Sequence, residues 1–209
     1  PIIMENLHGI KRTLGSRQKA KKPLLINSLK QIIKAIDQEK KERDRDRALI
    51  LIGFAGGFRR SELVNILKED VELVDEGVKI LIKKSKTDQS GEGNIKAIPY
   101  FQNQEFCPVI ALKKYMSLKK FNSNSEKIFK LSDKSVALII KKYAQIAGLD
   151  PTKYAGHSLR SGFATVAAES GADERSIMAM TGHKTTQMVR RYIKEANIFK
   201  NNALGKIKL

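Results

Sequence analysis

Between Asp70 and Tyr100 the sequence changes its period, and afterwards it changes back. VELV (71–74), a DEG turn and VKILI (78–82) read as two short strands, and IKAIPY (95–100) reads as a third. On both sides the apolar residues return every three or four positions, the repeat of a helix with one face in a core. Consecutive strands on short connections pair antiparallel. The chain is therefore expected to be α+β and mainly helical, with one small three-stranded antiparallel sheet. A polar, glycine-containing loop, KKSKTDQSGEGN (83–94), joins its second and third strands.

The helical segments can be placed from their spacing and their stops. Leu29, Ile32, Ile33 and Ile36 share one helix face, with Asn27 or Ser28 available to cap its start. KKERDRDR (40–47) is a solvated, helix-compatible run ahead of a helix around 46–55, which Gly56 and Gly57 stop. RRSELVNIL (59–67) starts another, with Leu63, Ile66 and Leu67 on one face. Pro108 suits the first helical position before VIALKKYM, and Ser132 or Asp133 caps a helix that Gly148 and Pro151 terminate. Helices are also expected over 157–169, over 174–181 with Asp173 as cap and Gly182 as stop, and from about Thr185 onward, carrying Tyr192. Residues 1–24 are basic and weakly periodic, a linker or the remnant of a preceding domain that should not carry the core. Residues 25–193 form the main domain, and 194–209 a basic tail that either docks on another subunit or frays.

Composition narrows the partners. Forty Lys and Arg against 22 Asp and Glu give a formal net charge of +18, which points to a polyanion and to nucleic acid before an anionic membrane surface. No apolar run approaches the roughly 18 residues needed to span a bilayer. ALILIGFAGGF (48–58) is short and broken by glycines, and nothing at the amino end resembles a signal sequence. Cys107 is the only cysteine, which excludes an internal disulfide and a thiolate zinc cluster and fits a reducing, cytoplasmic setting. His8, His157 and His183 make no metal-ligand spacing with the scattered carboxylates, so no metal or other cofactor is expected.

Five residues could meet at a phosphate. Arg59 follows a double glycine at a helix start, the unfavourable end of the helix dipole for a cation, and so calls for an anion from elsewhere. His157 and Arg160 lie three apart on one helix face, His183 follows a glycine stop, and Tyr192 lies nine residues further on. Guanidinium groups grip phosphate oxygens with paired hydrogen bonds, imidazoles donate or move protons, and a phenol can attack phosphorus. Each residue alone also has an ordinary explanation. His157 and Arg160 could be a surface or cap pair, Arg59 a plain basic residue, and Tyr192 a half-buried residue set against Met188.

Taken in order, these motifs resemble the catalytic domain of the tyrosine recombinases, the phage-integrase family. GGFRRSEL is similar to the family's first arginine box, HSLRSGFAT to its H-x-x-R box, and TGHKTTQMVRRY to its GH box with the nucleophile; the likeness spans about 25–200. It implies that Arg59, Arg160 and His183 hold the nonbridging oxygens of a scissile DNA phosphate. Tyr192 would attack to give a 3′-phosphotyrosyl bond, and His157 would accept its proton. Lys86, in the loop between the strands, would protonate the leaving 5′ oxygen, with Lys83 and Lys84 close by as rivals, and Glu62 would support the site. Family members usually carry a further helical domain ahead of this one. The implied partners are double-stranded DNA, three more copies of the chain on synapsed DNA, and accessory factors, with a monomer when free. The implied function is site-specific recombination or integration in a bacterium or phage, without metal or ATP. A DNA-binding regulator on the same scaffold, or strand relaxation of the type IB topoisomerase kind, are the alternatives.

Overall fold

A computed structural model describes residues 21–83 and 93–196. Helix α1 (Ile26–Asp37) turns Leu29, Ile32, Ile33 and Ile36 inward, as their spacing requires. It begins earlier than its polar residues suggest. Extended Leu25 precedes it, Asn27 and Ser28 lie within its first turn, and Ser28 Oγ is instead 3.2 Å from Tyr154 Oη.

Helix α2 (Arg43–Ala55) starts inside the charged run, with Asp44 and Asp46 in its first turn where the dipole favours acids. From Ala48 to Ala55 every residue is buried, so α2 is the central rod of the molecule and packs against α1 and the later helices Pro108–Leu118 and His157–Glu169. One carboxylate enters this core. Asp46, 2% exposed, accepts a hydrogen bond from Tyr143 Oη at 2.9 Å and pairs with Arg45 at 2.8 Å.

Helix α3 (Arg60–Val64) is shorter than its apolar pattern implies. Past Asn65 the backbone turns to meet the segment 126–128: Ile128 N–H donates to the Ile66 carbonyl at 2.9 Å, and Lys68 N–H to the Glu126 carbonyl at 2.9 Å. Ile66 is buried there outside the helix and not on a helix face. The three strands β1 (Val71–Val74), β2 (Gly77–Ile82) and β3 (Asn94–Pro99) form an antiparallel sheet in the order β1-β2-β3, with Val71 opposite Ile80 and Ile80 opposite Lys96. The inner face of β3 carries Lys96 and Ile98.

Among the described residues five more α-helices follow: α4 (Pro108–Leu118), α5 (Asp133–Ile146), α6 (His157–Glu169), α7 (Glu174–Thr181) and α8 (Thr186–Ala196). Their stops and caps are the expected ones. Pro108 opens α4, Ser132 Oγ accepts the Ser135 N–H, Asp173 accepts the Ser176 N–H at 2.9 Å, and Gly182 ends α7 at φ 63°. None of the described helices is long and apolar enough to cross a membrane.

Helix α6 joins two apolar clusters. Leu159 belongs to the large core built on α1, α2, α4 and α5; Ala164 and Ala168 belong to a small one with Ile177 of α7 and Val189 of α8. Residues ahead of α1 also reach the core, contrary to expectation. Leu24 is fully buried, and its N–H donates to the Ser158 carbonyl at 2.9 Å. Its own carbonyl lies 2.3 Å from where a Cβ on Gly162 would be, so a glycine in α6 admits this backbone.

Candidate active site

The site forms where the double-glycine end of α2, the first turn of α6 and the α7–α8 corner come together. Gly57 adopts φ 55°, and a Cβ there would come within 2.9 Å of the Phe163 ring, so the chain turns tightly and delivers Arg59 to the start of α3. Arg59 finds a carboxylate in its own turn. Its Nη1 lies 2.6 Å from Glu62 Oε1 while its backbone N–H donates to Glu62 Oε2 at 3.0 Å. The anion expected from elsewhere is thus partly supplied by Glu62, which is 6% exposed and no surface residue. The second arm, Nη2, donates to the Gly182 carbonyl at 3.1 Å, the residue before His183.

Arg160 comes from the other side. It is 2% exposed, and its Nη1 donates to the Gly57 carbonyl at 2.9 Å. The two guanidinium groups therefore share one neighbourhood. Burial first, and then the charge of Arg59, draw Arg160 down to about 10, still well above neutrality, so two cations face each other with one carboxylate between them. Such a pair favours a further anion.

His183 is held with a defined orientation. Thr181 Oγ, fully buried, donates its single proton to the Ile177 carbonyl at 2.6 Å, so at 2.8 Å from His183 Nδ1 it can only accept. Nδ1 therefore carries hydrogen and Nε2 of the neutral ring is bare. Burial, followed by the charges of Arg160 and Arg59, lowers His183 to about 4. Half-buried Tyr192 on α8 packs against it, ring centroids 6.0 Å apart and planes 29° apart, and feels the charge of Arg160. His157, the first residue of α6, reaches solvent at the mouth, where partial desolvation and then Arg160, Arg60 and Arg59 hold its ring below the ordinary value. A cleft of about 330 Å³ opens beside it, lined by Arg59, Arg60, Gly156 and His157 among others.

The sequence profile of the phage integrase family matches residues 22–197.

The chain belongs to the phage integrase family.

An integrase/recombinase XerD homolog of Selenomonas ruminantium is 46% identical over 216 aligned residues, which cover 99% of this chain and 63% of the relative. Tyrosine recombinase XerA of Thermococcus kodakarensis is 29% identical over 177 residues, 83% of this chain and 58% of that protein. The chain thus spans about three fifths of the length of these relatives. Among solved structures, XerA recombinase shares the fold at a TM-score of 0.69 and 20% identity, over 93% of this chain and 68% of that one. XerH recombinase bound to its difH substrate does so at 0.66 and 23%, over 88% and 54%.

Of the residues expected in this family member's site, Arg59, Glu62, His157, Arg160, His183 and Tyr192 are gathered in one region. Lys86 lies outside the described residues. Its rival Lys83 is already engaged: Nζ is 2.9 Å from Asp70 Oδ1 and also bonded to Glu69, and those carboxylates, Asp70 first, raise its pKa.

Two residues of the site escaped the sequence reading. Thr181 stands in the sequence only as the residue before Gly182 in TGHKTTQMVRRY, with nothing there to give it a role of its own. Lys96 was hidden among many lysines, although the alternation of β3 puts it on the same face as Ile98. It is 3% exposed, its Nζ donates to the Gly56 carbonyl at 2.7 Å and to the Met180 carbonyl, and the Phe58 ring centroid lies 4.7 Å away.

Proposed function

We propose that this chain is the catalytic part of a site-specific DNA recombinase or integrase that breaks and rejoins strands through a phosphotyrosyl intermediate, without metal or ATP. The observation that carries the reading is the convergence of Arg59, Arg160 and His183 beside the Tyr192 phenol. Buried Arg160 and part-exposed Arg59, with Glu62 set against them, form a pocket of excess positive charge suited to a phosphodiester. Arg59 and Arg160 would bind the nonbridging oxygens as charge builds on them in the five-coordinate transition state. His183 would join them once the arriving anion raises its pKa from about 4 and allows Nε2 to hold a proton and donate it.

Tyr192 Oη would bond to phosphorus as the bond to the 5′ oxygen breaks. An unperturbed phenol titrates near 10, so it needs a base at neutral pH. His157, held below the ordinary histidine value and therefore neutral, would accept the proton. Lys86 would deliver a proton to the departing 5′ oxygen. Because the new ester keeps the energy of the broken one, a 5′ hydroxyl of another strand could reverse the step. Double-stranded DNA as substrate, a tetramer on synapsed DNA, accessory factors and a cytoplasmic place of action belong to the same proposal.

The test uses nicked suicide duplexes with a randomised core, from which the short downstream fragment that carries the freed 5′ hydroxyl is lost after cleavage. Wild type is expected to become covalently attached to DNA on a denaturing gel, and Tyr192→Phe is not. Binding without any adduct across the pool would favour a DNA-binding regulator. Sequencing the trapped duplexes would give the site, and supplying a second duplex would distinguish strand transfer from relaxation of a single one.

A further inference from the structure

We propose that Lys96 is a positioning residue of the integrase site, a buried cross-strut that sets the distance between the Arg59 loop and the His183 corner. This inference rests on the function proposed above and adds a residue to it.

The geometry is that of a tie. The Gly56 carbonyl belongs to the turn that ends α2, three residues before Arg59, and the Met180 carbonyl belongs to the last turn of α7, three residues before His183. Both are helix-terminal carbonyls, which lack a partner in their own helix, and a single ammonium from the sheet bonds both. Arg59 itself reaches across the same gap to the Gly182 carbonyl at 3.1 Å, so the corner is fastened twice, once from the loop and once from β3.

A strut serving stability alone would not be built from a cation here. Lys96 is buried near two other cations, Arg59 and Arg160, with Glu62 as the one opposing charge among the described residues and neutral His183 alongside. Burial and those two arginines bring its ammonium down to about 8 against the pull of Glu62. Desolvated like charges are costly, and an apolar side chain would fill the same space without that cost. What the ammonium supplies is a fixed separation of two backbone segments, each presenting a phosphate ligand, together with a field that adds to theirs. Two of the three donors of its Nζ go to backbone carbonyls, which ties it to the frame of the site.

The test compares wild type with Lys96→Met, which keeps the reach of the side chain and removes its charge, and with the shorter uncharged Lys96→Gln should the first not fold. In the free protein, amide hydrogen exchange is expected to quicken at Gly57, Phe58 and Gly182 while α1 keeps its protection. Unchanged exchange at those three amides would overturn the proposal whatever the enzyme does. On trapped suicide duplexes, the single-turnover rate of adduct formation is expected to fall about tenfold or more, with noncovalent DNA affinity changed less than about threefold. An equal loss of affinity and rate would mean that the residue only holds the fold or binds DNA. A duplex with sulfur in place of the bridging 5′ oxygen, whose thiolate leaves without a proton, is expected not to restore the variant. Restoration would make Lys96 a proton donor instead. If wild type makes no adduct, the proposed function fails, and hydrogen exchange alone decides the strut.

Discussion

His183 shows how a single side chain couples the site to pH. Its ring, 7% exposed, is held near 4, whereas in the unfolded chain it titrates near 6.5. Between these values the unfolded chain binds a proton that the folded one refuses, so stability is fully present above about pH 6.5 and declines as the pH falls toward 4. The part due to His183 is on the order of 3 kcal/mol across that window. His157, also lowered, acts in the same direction. Urea titrations at a series of pH values should show this decline in wild type and a shallower one in His183→Gln; equal slopes would mean that the ring is not buried among cations. A phosphate between Arg59 and Arg160 would oppose the shift, so the same residue that weakens the free protein in acid would bind an anion more firmly there.

At the level of single elements, Gly162 lets two parts of the chain approach. Replacing it with alanine would gain up to about 1 kcal/mol of helix propensity in α6. The added Cβ, however, would sit 2.3 Å from the Leu24 carbonyl oxygen and 2.9 Å from its carbon, and that backbone is fixed by the bond from Leu24 N–H to Ser158. Overpacking against backbone costs about 1–3 kcal/mol, so Gly162→Ala should be less stable in urea than wild type; a more stable variant would show that Leu24 is free to move. The same contact illustrates what could be read from the sequence. Periods of two and of three to four located the sheet and the helices, because local burial alone decides them. The caps Ser132 and Asp173 and the stop at Gly182 were legible for the same reason. The length of α3, the start of α1 and the burial of Leu24 were not, since each depends on a distant partner: the segment 126–128, Tyr154 and Gly162. In the site, the arginines, histidines and tyrosine stood out as motifs. Lys96 did not, because only the tertiary fold tells a buried lysine from the solvated ones around it.

Across the whole molecule the site straddles two bodies of unequal strength. Arg59 stands on the large core, whereas His183 and Tyr192 stand on the α7–α8 corner, whose own apolar cluster is Ala164, Ala168, Ile177 and Val189 with partly buried neighbours. A segment with so little buried apolar surface opens at a lower free energy than the core helices. Two of its polar ties to the rest, Arg59 to the Gly182 carbonyl and Lys96 to the Met180 carbonyl, lie in the site itself. Amides of α7 and α8 should therefore exchange through openings that cost less than those of α1 and α2, and the gap should narrow when DNA is bound. A phosphate gripped by Arg59, Arg160 and His183 at once would close the seam between the two bodies. Since that grip is electrostatic in a chain of formal charge +18, the protection DNA confers should fade as salt is raised from about 50 to 200 mM, where contacts to several phosphates lose orders of magnitude in affinity. Hydrogen exchange by mass spectrometry, with and without duplex DNA at the two salt concentrations, measures both effects. Equal protection of α7–α8 and α2 in the free protein would show that the corner is as firmly built as the core, and that its fastening does not depend on the residues that would hold the phosphate.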